Sequence, residues 1–163
     1  MKHKGFTLIE IIVVIAIVSI LMSVGLAYYN KSNEEKELRS DTEKLSDILH
    51  LARQKAISGD QKDLPACTDF NGYQVEIIDS GSYRLVLCCN DACTGADREE
   101  IQSYSLQSSI TLDPSSSTIK FKKLTGETLS ALDVKVSNSV ISECLLLNIQ
   151  LSGLIKLDTS CSY

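Results

Sequence analysis

The chain has 163 residues, of which 44% are hydrophobic and 23% are charged, and its formal net charge is −5. This length suffices for one domain of ordinary size, and the acidic balance argues against a protein that coats nucleic acid through a generally basic surface. The aliphatic content excludes a disordered chain, and 8 Gly with 2 Pro exclude a collagen-like one. Six cysteines favour an oxidising compartment over a reducing cytosol.

A short basic leader precedes a long apolar run at the N-terminus. The leader comprises residues 1–5, and the apolar run extends over residues 6–27. A helix of about 20 residues crosses a hydrocarbon core about 30 Å thick, and basic residues before it keep that end in the cytoplasm. We therefore predict a single-pass inner-membrane protein with a transmembrane helix over residues 6–29 and a C-terminal domain outside the cytoplasm.

Two cleavage sites fit this N-terminal segment. Cleavage after Ala27, behind the small residue Gly25, would release an ordinary secreted protein, whereas cleavage between Gly5 and Phe6 would retain the apolar helix. Glu10 favours the second site, because a carboxylate in an apolar helix is unfavourable to insert and such residues usually face a partner. A new α-amino group on Phe6 would lie one helical turn from Glu10, or opposite the Glu10 of a neighbouring copy, and would compensate its charge.

The residues Gly5-Phe6-Thr7-Leu8-Ile9-Glu10 behind a basic leader resemble the class III signal of type IV pilins and pseudopilins. The resemblance implies cleavage between Gly5 and Phe6 by a prepilin peptidase, and N-methylation of Phe6 by the same enzyme. It also implies that Glu10 aligns an incoming subunit during assembly. The implied partners are other pilin or pseudopilin subunits, membrane lipid and an inner-membrane assembly platform.

The helix is predicted to continue through residues 30–58, where neither Pro nor Gly occurs. Gly59 fits a C-cap. A single helix over residues 6–58 would be about 80 Å long, and its first half has no core of its own, so it is stable only in lipid or packed against its copies. Spacings of seven, four, three and four place the sparse apolar residues of the second half on one face: Leu38, Leu45, Leu49, Ala52 and Ala56.

Part of this second half is similar to the helix of one pilin subgroup, the H-type pseudopilins of type II secretion and the FimT-like minor pilins. The similarity lies in Leu45, Leu49, Ala52-Arg53 and Ala56-Ile57. The alanines would let the helix lie close against a sheet, and simple core packing would select the same residues.

After Gly59 the pattern changes to short apolar or alternating runs separated by turn residues, which is typical of antiparallel strands. Asp79-Ser80-Gly81 is a hairpin signal between the first two strands. We predict an α+β, pilin-like protein in which residues 59–163 form an antiparallel β-sheet domain packed on the C-terminal half of the helix. The predicted strands cover residues 72–77, 82–87, 103–112, 118–124, 132–136, 144–151 and 154–159.

The disulfide candidates are Cys67, Cys88, Cys89, Cys93, Cys144 and Cys161. The last two flank the final predicted hairpin. A two-residue Ser152-Gly153 turn would place them opposite each other but would split the apolar residues between two faces. A three-residue Leu151-Ser152-Gly153 loop, with Gly153 left-handed, restores one apolar face and displaces the cysteines. We favour the pair Cys144–Cys161 and, by symmetry about the first hairpin, Cys67–Cys93, although sequence alone cannot choose among the connectivities.

Metal binding and catalysis have little support in the sequence. A zinc site at Cys88, Cys89 and Cys93 lacks paired C-x-x-C spacing, and beyond the leader the sequence has a single histidine, His50. The sequence has no GxSxG, no HExxH and no phosphate-binding glycine loop. We therefore predict a protein that is not an enzyme and that needs neither metal nor cofactor.

The leading functional prediction is a minor pilin or pseudopilin subunit that joins a type IV pilus or a type II secretion pseudopilus through its N-terminal helix. The alternative is a competence pilin that takes up DNA, because Lys120, Lys122 and Lys123 form a small basic cluster and the first two would share a strand face. The DNA-binding members of the subgroup tend to carry Arg after the final turn glycine, whereas Leu154 follows Gly153 here. A second alternative is a secreted protein with an ordinary signal sequence.

Overall fold

The computed structural model describes residues 7–60, 67, 69–93, 98–158 and 161, and of residues 23–27 it describes the backbone only. One long helix, α1 (Leu8–Ser58), begins after the N-cap Thr7 and ends at Gly59, whose φ of 66° is left-handed. The Gly59 N–H donates to the carbonyl oxygen of Lys55 at 3.0 Å, which closes the last turn. The predicted helix and its C-cap are confirmed, while Phe6 lies outside the described residues.

The second half of α1 packs on the sheets through the face that the spacing predicts. Leu38, Leu45, Leu49, Ala52 and Ala56 are all between 0% and 3% exposed. Small alanine side chains leave room for the sheets near the C-terminal end of the helix, where the helix packs against the first strand. Burial of these five side chains holds the helix on the domain, because each Å² of apolar surface removed from water stabilises the folded state by about 25 cal/mol.

Eight described strands form two antiparallel sheets, where the sequence suggested about seven strands in one. The first sheet has the order β3-β2-β1-β5 and the second has the order β4-β6-β7-β8. The inner faces of both sheets and α1 enclose one core. The strands are β1 (Gly72–Asp79), β2 (Ser82–Cys88), β3 (Arg98–Ser105), β4 (Ile110–Asp113), β5 (Thr118–Phe121), β6 (Leu132–Asn138), β7 (Glu143–Ile149) and β8 (Ile155–Asp158).

The single strand predicted over residues 103–112 is wrong, because the chain leaves the first sheet there and enters the second. β3 ends at Ser105, and the Ile110 N–H donates to the Gln107 carbonyl oxygen in a turn before β4. The Gln107 N–H donates at 3.0 Å to the carboxylate of Asp41, a buried residue of α1. A polar turn anchored to the helix therefore interrupts what looks like one continuous strand.

β3 also begins earlier than the alternating pattern indicates. The charged residues at its start are accommodated in the sheet because they form ion pairs with neighbouring strands. Arg98 donates to the Glu76 carboxylate on β1 at 2.8 Å. Arg84 on β2 lies between two carboxylates, 2.7 Å from Glu76 and 3.0 Å from Glu100. Because Glu76 is buried, its pairing with two guanidinium groups compensates a charge that would otherwise be costly in the sheet.

The final hairpin adopts the three-residue loop with an apolar face. Ile149 pairs with Ile155, and the Gln150 N–H donates to the Leu154 carbonyl oxygen at 2.9 Å, which encloses Leu151-Ser152-Gly153. Gly153 has a φ of 73°, and a Cβ there would lie 1.9 Å from the carbonyl oxygen of Gly126. Both the backbone conformation and this close approach require glycine at position 153.

Three disulfides close the described cysteines, and one favoured pair is wrong. Cys144 is bonded to Cys161 with a Cα–Cα distance of 6.0 Å, although the hairpin register displaces them from direct opposition. The structure joins Cys67 to Cys89 and Cys88 to Cys93, not Cys67 to Cys93. Cys88, the last residue of β2, lies with Cys93 in a second small cluster behind the sheet, whereas Cys89, one residue past the strand, packs on the main core.

Candidate assembly site at the helix N-terminus

A reciprocal capping arrangement organises the start of α1. The Thr7 side-chain oxygen accepts from the Glu10 N–H at 3.3 Å, and the Glu10 carboxylate accepts from the Thr7 backbone N–H at 2.9 Å. The Thr7 hydroxyl also donates to the same carboxylate oxygen at 2.9 Å. Each side chain therefore satisfies a backbone donor that the first turn leaves without an intrahelical acceptor.

Thr7 was not among the partners predicted for Glu10, which were the new amine of Phe6 and a neighbouring copy. The readable signal was the T-x-x-E spacing before an apolar run, which predicts a capping box. In the uncleaved chain the Glu10 carboxylate thus has hydrogen-bond donors within its own helix. The predicted cleavage and methylation positions, Gly5 and Phe6, lie outside the described residues.

The apolar first half of α1 is uncovered in a single chain. From Leu8 to Met22 its large hydrophobic side chains are all exposed, with Leu8 at 77% and Val18 lowest at 42%. Within the part of the chain that the structure describes, no helix has a stretch long and apolar enough to cross a membrane. Contiguous exposed apolar surface of this extent marks a site for a partner or for lipid, because soluble monomers rarely present it.

The three lysines of the predicted DNA site line one open groove, but Lys120 is already hydrogen-bonded within the protein. The Lys120 side chain is buried, and its amine donates to the backbone carbonyl oxygens of Asn90 at 3.1 Å and Asp91 at 2.7 Å. Burial lowers the pKa of Lys120, and the charge of Asp91 partly opposes that shift. Lys122 lies beyond the end of β5, so the expectation that it shares a strand face with Lys120 is wrong.

Lys122 and Lys123 are the exposed lysines of this groove, which Asp91 and Glu127 also line. Lys123 lies 3.8 Å from the Asp69 carboxylate. Acidic residues are therefore interspersed with the exposed lysines, and Lys120 already has acceptors within the protein. The groove therefore has mixed charge. It has two exposed lysine amines, whereas the sequence suggested three.

The residues considered for metal binding are separated or already bonded. Cys88, Cys89 and Cys93 belong to two different disulfides, and His50 is an exposed residue of α1. Among the described residues, no three His, Cys, Asp or Glu side chains are grouped to hold a metal ion.

The long helix with an uncovered apolar half, packed through its second half on antiparallel sheets, defines an α+β protein of the pilin-like class. Residues 1–26 match the family model described as the prokaryotic N-terminal methylation motif. This match supports the type IV pilin and pseudopilin family, and with it a pilin-like protein that a prepilin peptidase processes. No curated protein and no solved structure gives a significant match to the chain.

Proposed function

We propose that the protein is a minor pilin or pseudopilin subunit, anchored in the inner membrane by its N-terminal helix and assembled through that helix into a type IV pilus or a type II secretion pseudopilus. The observation that carries the proposal is the division of α1. One face of its second half is buried in its own domain, with Leu49 at 0% exposure, while its first half exposes every described large apolar side chain. Such a helix is stable only where lipid or neighbouring helices cover its first half.

The first experiment determines the mature N-terminus by mass spectrometry of protein purified from membranes. The proposal requires a chain that begins at N-methylated Phe6, because cleavage there retains the apolar helix. A chain that begins at Tyr28 would instead support an ordinary secreted protein and would overturn the proposal. A chain that retains Met1 would show that the leader is not processed.

The second experiment separates the two properties of Glu10, its hydrogen-bonding oxygen and its charge. Glu10→Ala removes both, whereas Glu10→Gln keeps an oxygen that can accept from Thr7 and removes the charge. If the charge aligns subunits by pairing with the amine of Phe6, both variants are processed but neither enters filaments in quantity. Glu43→Ala is the matched control, since Glu43 is an exposed helical residue whose ion pair with Arg39 spans one turn and contributes little.

The result with Glu10→Gln is decisive for the role of the charge. Assembly of this variant at the level of the unmodified protein would show that capping by the side chain suffices, and it would refute charge-mediated alignment. Assembly measured by sedimentation of sheared filaments, together with the amount of processed subunit in the membrane, distinguishes a failure of assembly from a failure of cleavage.

DNA uptake is the weaker candidate, because Lys120 is committed to loop carbonyls and acidic residues lie beside Lys122 and Lys123. A filter-binding assay across a salt series tests it on the full chain in detergent. Binding that weakens with salt and is lost in the double variant Lys122→Met, Lys123→Met would favour DNA uptake. Binding that is undetectable at low salt would exclude it.

A further inference from the structure

The hairpin between β6 and β7 ends in an unusual apolar tip. Its turn residues are Ser139, Val140, Ile141 and Ser142, and the Val140 side chain is 65% exposed. Turns of this kind favour Gly, Asn, Asp and Pro, because those residues fit the backbone and tolerate water. Two adjacent branched apolar residues, without a charged residue in the tip, indicate that this turn has a neighbour other than water.

Asn138 fixes the tip against α1. Its amide nitrogen donates to the Glu34 carboxylate at 2.8 Å and its amide oxygen accepts from the Val140 N–H at 2.8 Å. The Asn138 side chain is fully buried, so these bonds are partly shielded from water. On the other side of the turn, Lys31 lies 3.4 Å from the Glu143 carboxylate. The tip is therefore held level with residues 31–34 of the helix.

That level coincides with the place where the apolar part of the helix ends. Under the proposed membrane anchor, the apolar run of the sequence that ends at residue 27 lies in lipid, and its helical positions 8–27 are about 30 Å long at about 1.5 Å each. Tyr28 and Tyr29 follow directly and are 78% and 68% exposed. Tyrosines enrich the interface between hydrocarbon and water, and residue 31 lies only about 3 Å further along the axis.

We propose that the β6–β7 tip lies in the headgroup layer of the membrane leaflet next to the folded domain, with Val140 and Ile141 against lipid. The inference rests on the proposed membrane anchor. Lipid fits this surface because the tip lies level with residues 31–34, directly after the exposed Tyr28 and Tyr29, and tyrosine is a residue type that marks the lipid–water interface. The tip lies on one side of α1, so its contact sets the direction in which the helix tilts, by about 20° for an average membrane helix.

The absence of tryptophan from the sequence makes a direct test simple. Val140→Trp introduces a single indole into the full chain, which is reconstituted in vesicles of phosphatidylcholine and phosphatidylglycerol with part of the phosphatidylcholine brominated on its acyl chains. Leu124→Trp is the matched control, because Leu124 is 74% exposed and its N–H bonds to Ala56 at the far end of α1. Tyr29→Trp reports insertion of the helix.

Lipid contact predicts that brominated lipid quenches Trp at position 140 at least about two-fold more than Trp at position 124, with emission at shorter wavelength. Ile141→Trp should behave like Val140→Trp. Equal quenching at positions 140 and 124 would overturn the inference. A blue shift at position 140 that disappears when the protein is diluted in lipid, without bromine quenching, would overturn it in favour of contact between copies.

The Tyr29→Trp variant separates this inference from the proposed function. If Trp at position 29 is quenched and Trp at position 140 is not, the helix is inserted and only the position of the hairpin tip is wrong. If neither is quenched, the membrane anchor itself fails.

Discussion

Replacement of Lys120 by methionine tests whether this lysine is a structural group. The Lys120 amine bridges the carbonyl oxygens of Asn90 and Asp91, and so ties the 88–93 loop to β5 on the outer face of the first sheet. Methionine keeps most of the buried aliphatic stem and removes the amine. The carbonyl oxygens would then lose both donors, while Met would fill most of the same space.

The expected loss combines opposing contributions. Hydrogen bonds from a charged donor stabilise by about 1.5 to 3 kcal/mol each. Burial of the ammonium group offsets part of this, as the lowered pKa of Lys120 indicates, and the carbonyls of Asn90 and Asp91 lie near the surface where water can replace the lost donor. We therefore expect Lys120→Met to lower the free energy of unfolding by about 1 to 2 kcal/mol.

Urea unfolding of the full chain in detergent, followed by tyrosine fluorescence with the disulfides intact, measures this loss. Lys122→Met is the matched control, because Lys122 is exposed beyond the end of β5 and its replacement should change stability by less than about 0.5 kcal/mol. A Lys120→Met variant as stable as the unmodified protein, or a control that loses as much, would refute the structural role assigned to Lys120.

Three further perturbations test the core, one backbone contact and the pH dependence. Leu49→Ala should lower the free energy of unfolding by about 2 to 5 kcal/mol because Leu49 is fully buried, whereas the exposed Leu51→Ala should lose less than about 1 kcal/mol; equal losses would contradict the helix packing. Gly153→Ala should lower the denaturation midpoint strongly, since its Cβ would lie 1.9 Å from the Gly126 carbonyl oxygen, and an unchanged midpoint would refute that contact. Burial, aided by Tyr104, raises the pKa of Tyr83 above its usual 10, so the folded state retains the proton longer than the unfolded state. Stability should therefore hold below about pH 10 and fall above it. The absorbance at 295 nm of the unmodified protein minus that of Tyr83→Phe should show this tyrosine ionising only on unfolding, and its ionisation in the folded protein would contradict this.

The elements that could be predicted are those set by the local pattern of apolar and turn residues. The helical face from Leu38 to Ala56 follows from spacing, and the structure confirms it. Of the two turns that the sequence left open for the final hairpin, the structure has the three-residue loop that ends at Gly153. The chain passes from the first sheet to the second at a turn whose Gln107 N–H bonds to Asp41, a residue far away in the sequence. The burial of Lys120 likewise depends on a loop that folds back over the sheet. The spacing of apolar residues along the chain does not indicate such long-range contacts.

The capping box at Thr7 and Glu10 changes how the charge of Glu10 bears on assembly. In the uncleaved chain Glu10 already accepts from the Thr7 N–H and hydroxyl, so its carboxylate does not require a charged partner to have hydrogen bonds. Among the described residues no cation pairs with Glu10, and cleavage behind Gly5 would create a positive charge on Phe6. Because Thr7 can remain a donor after cleavage, the new amine would add charge compensation to an existing cap. Loss of charge and loss of capping should therefore affect assembly differently, which is the comparison that Glu10→Gln and Glu10→Ala make.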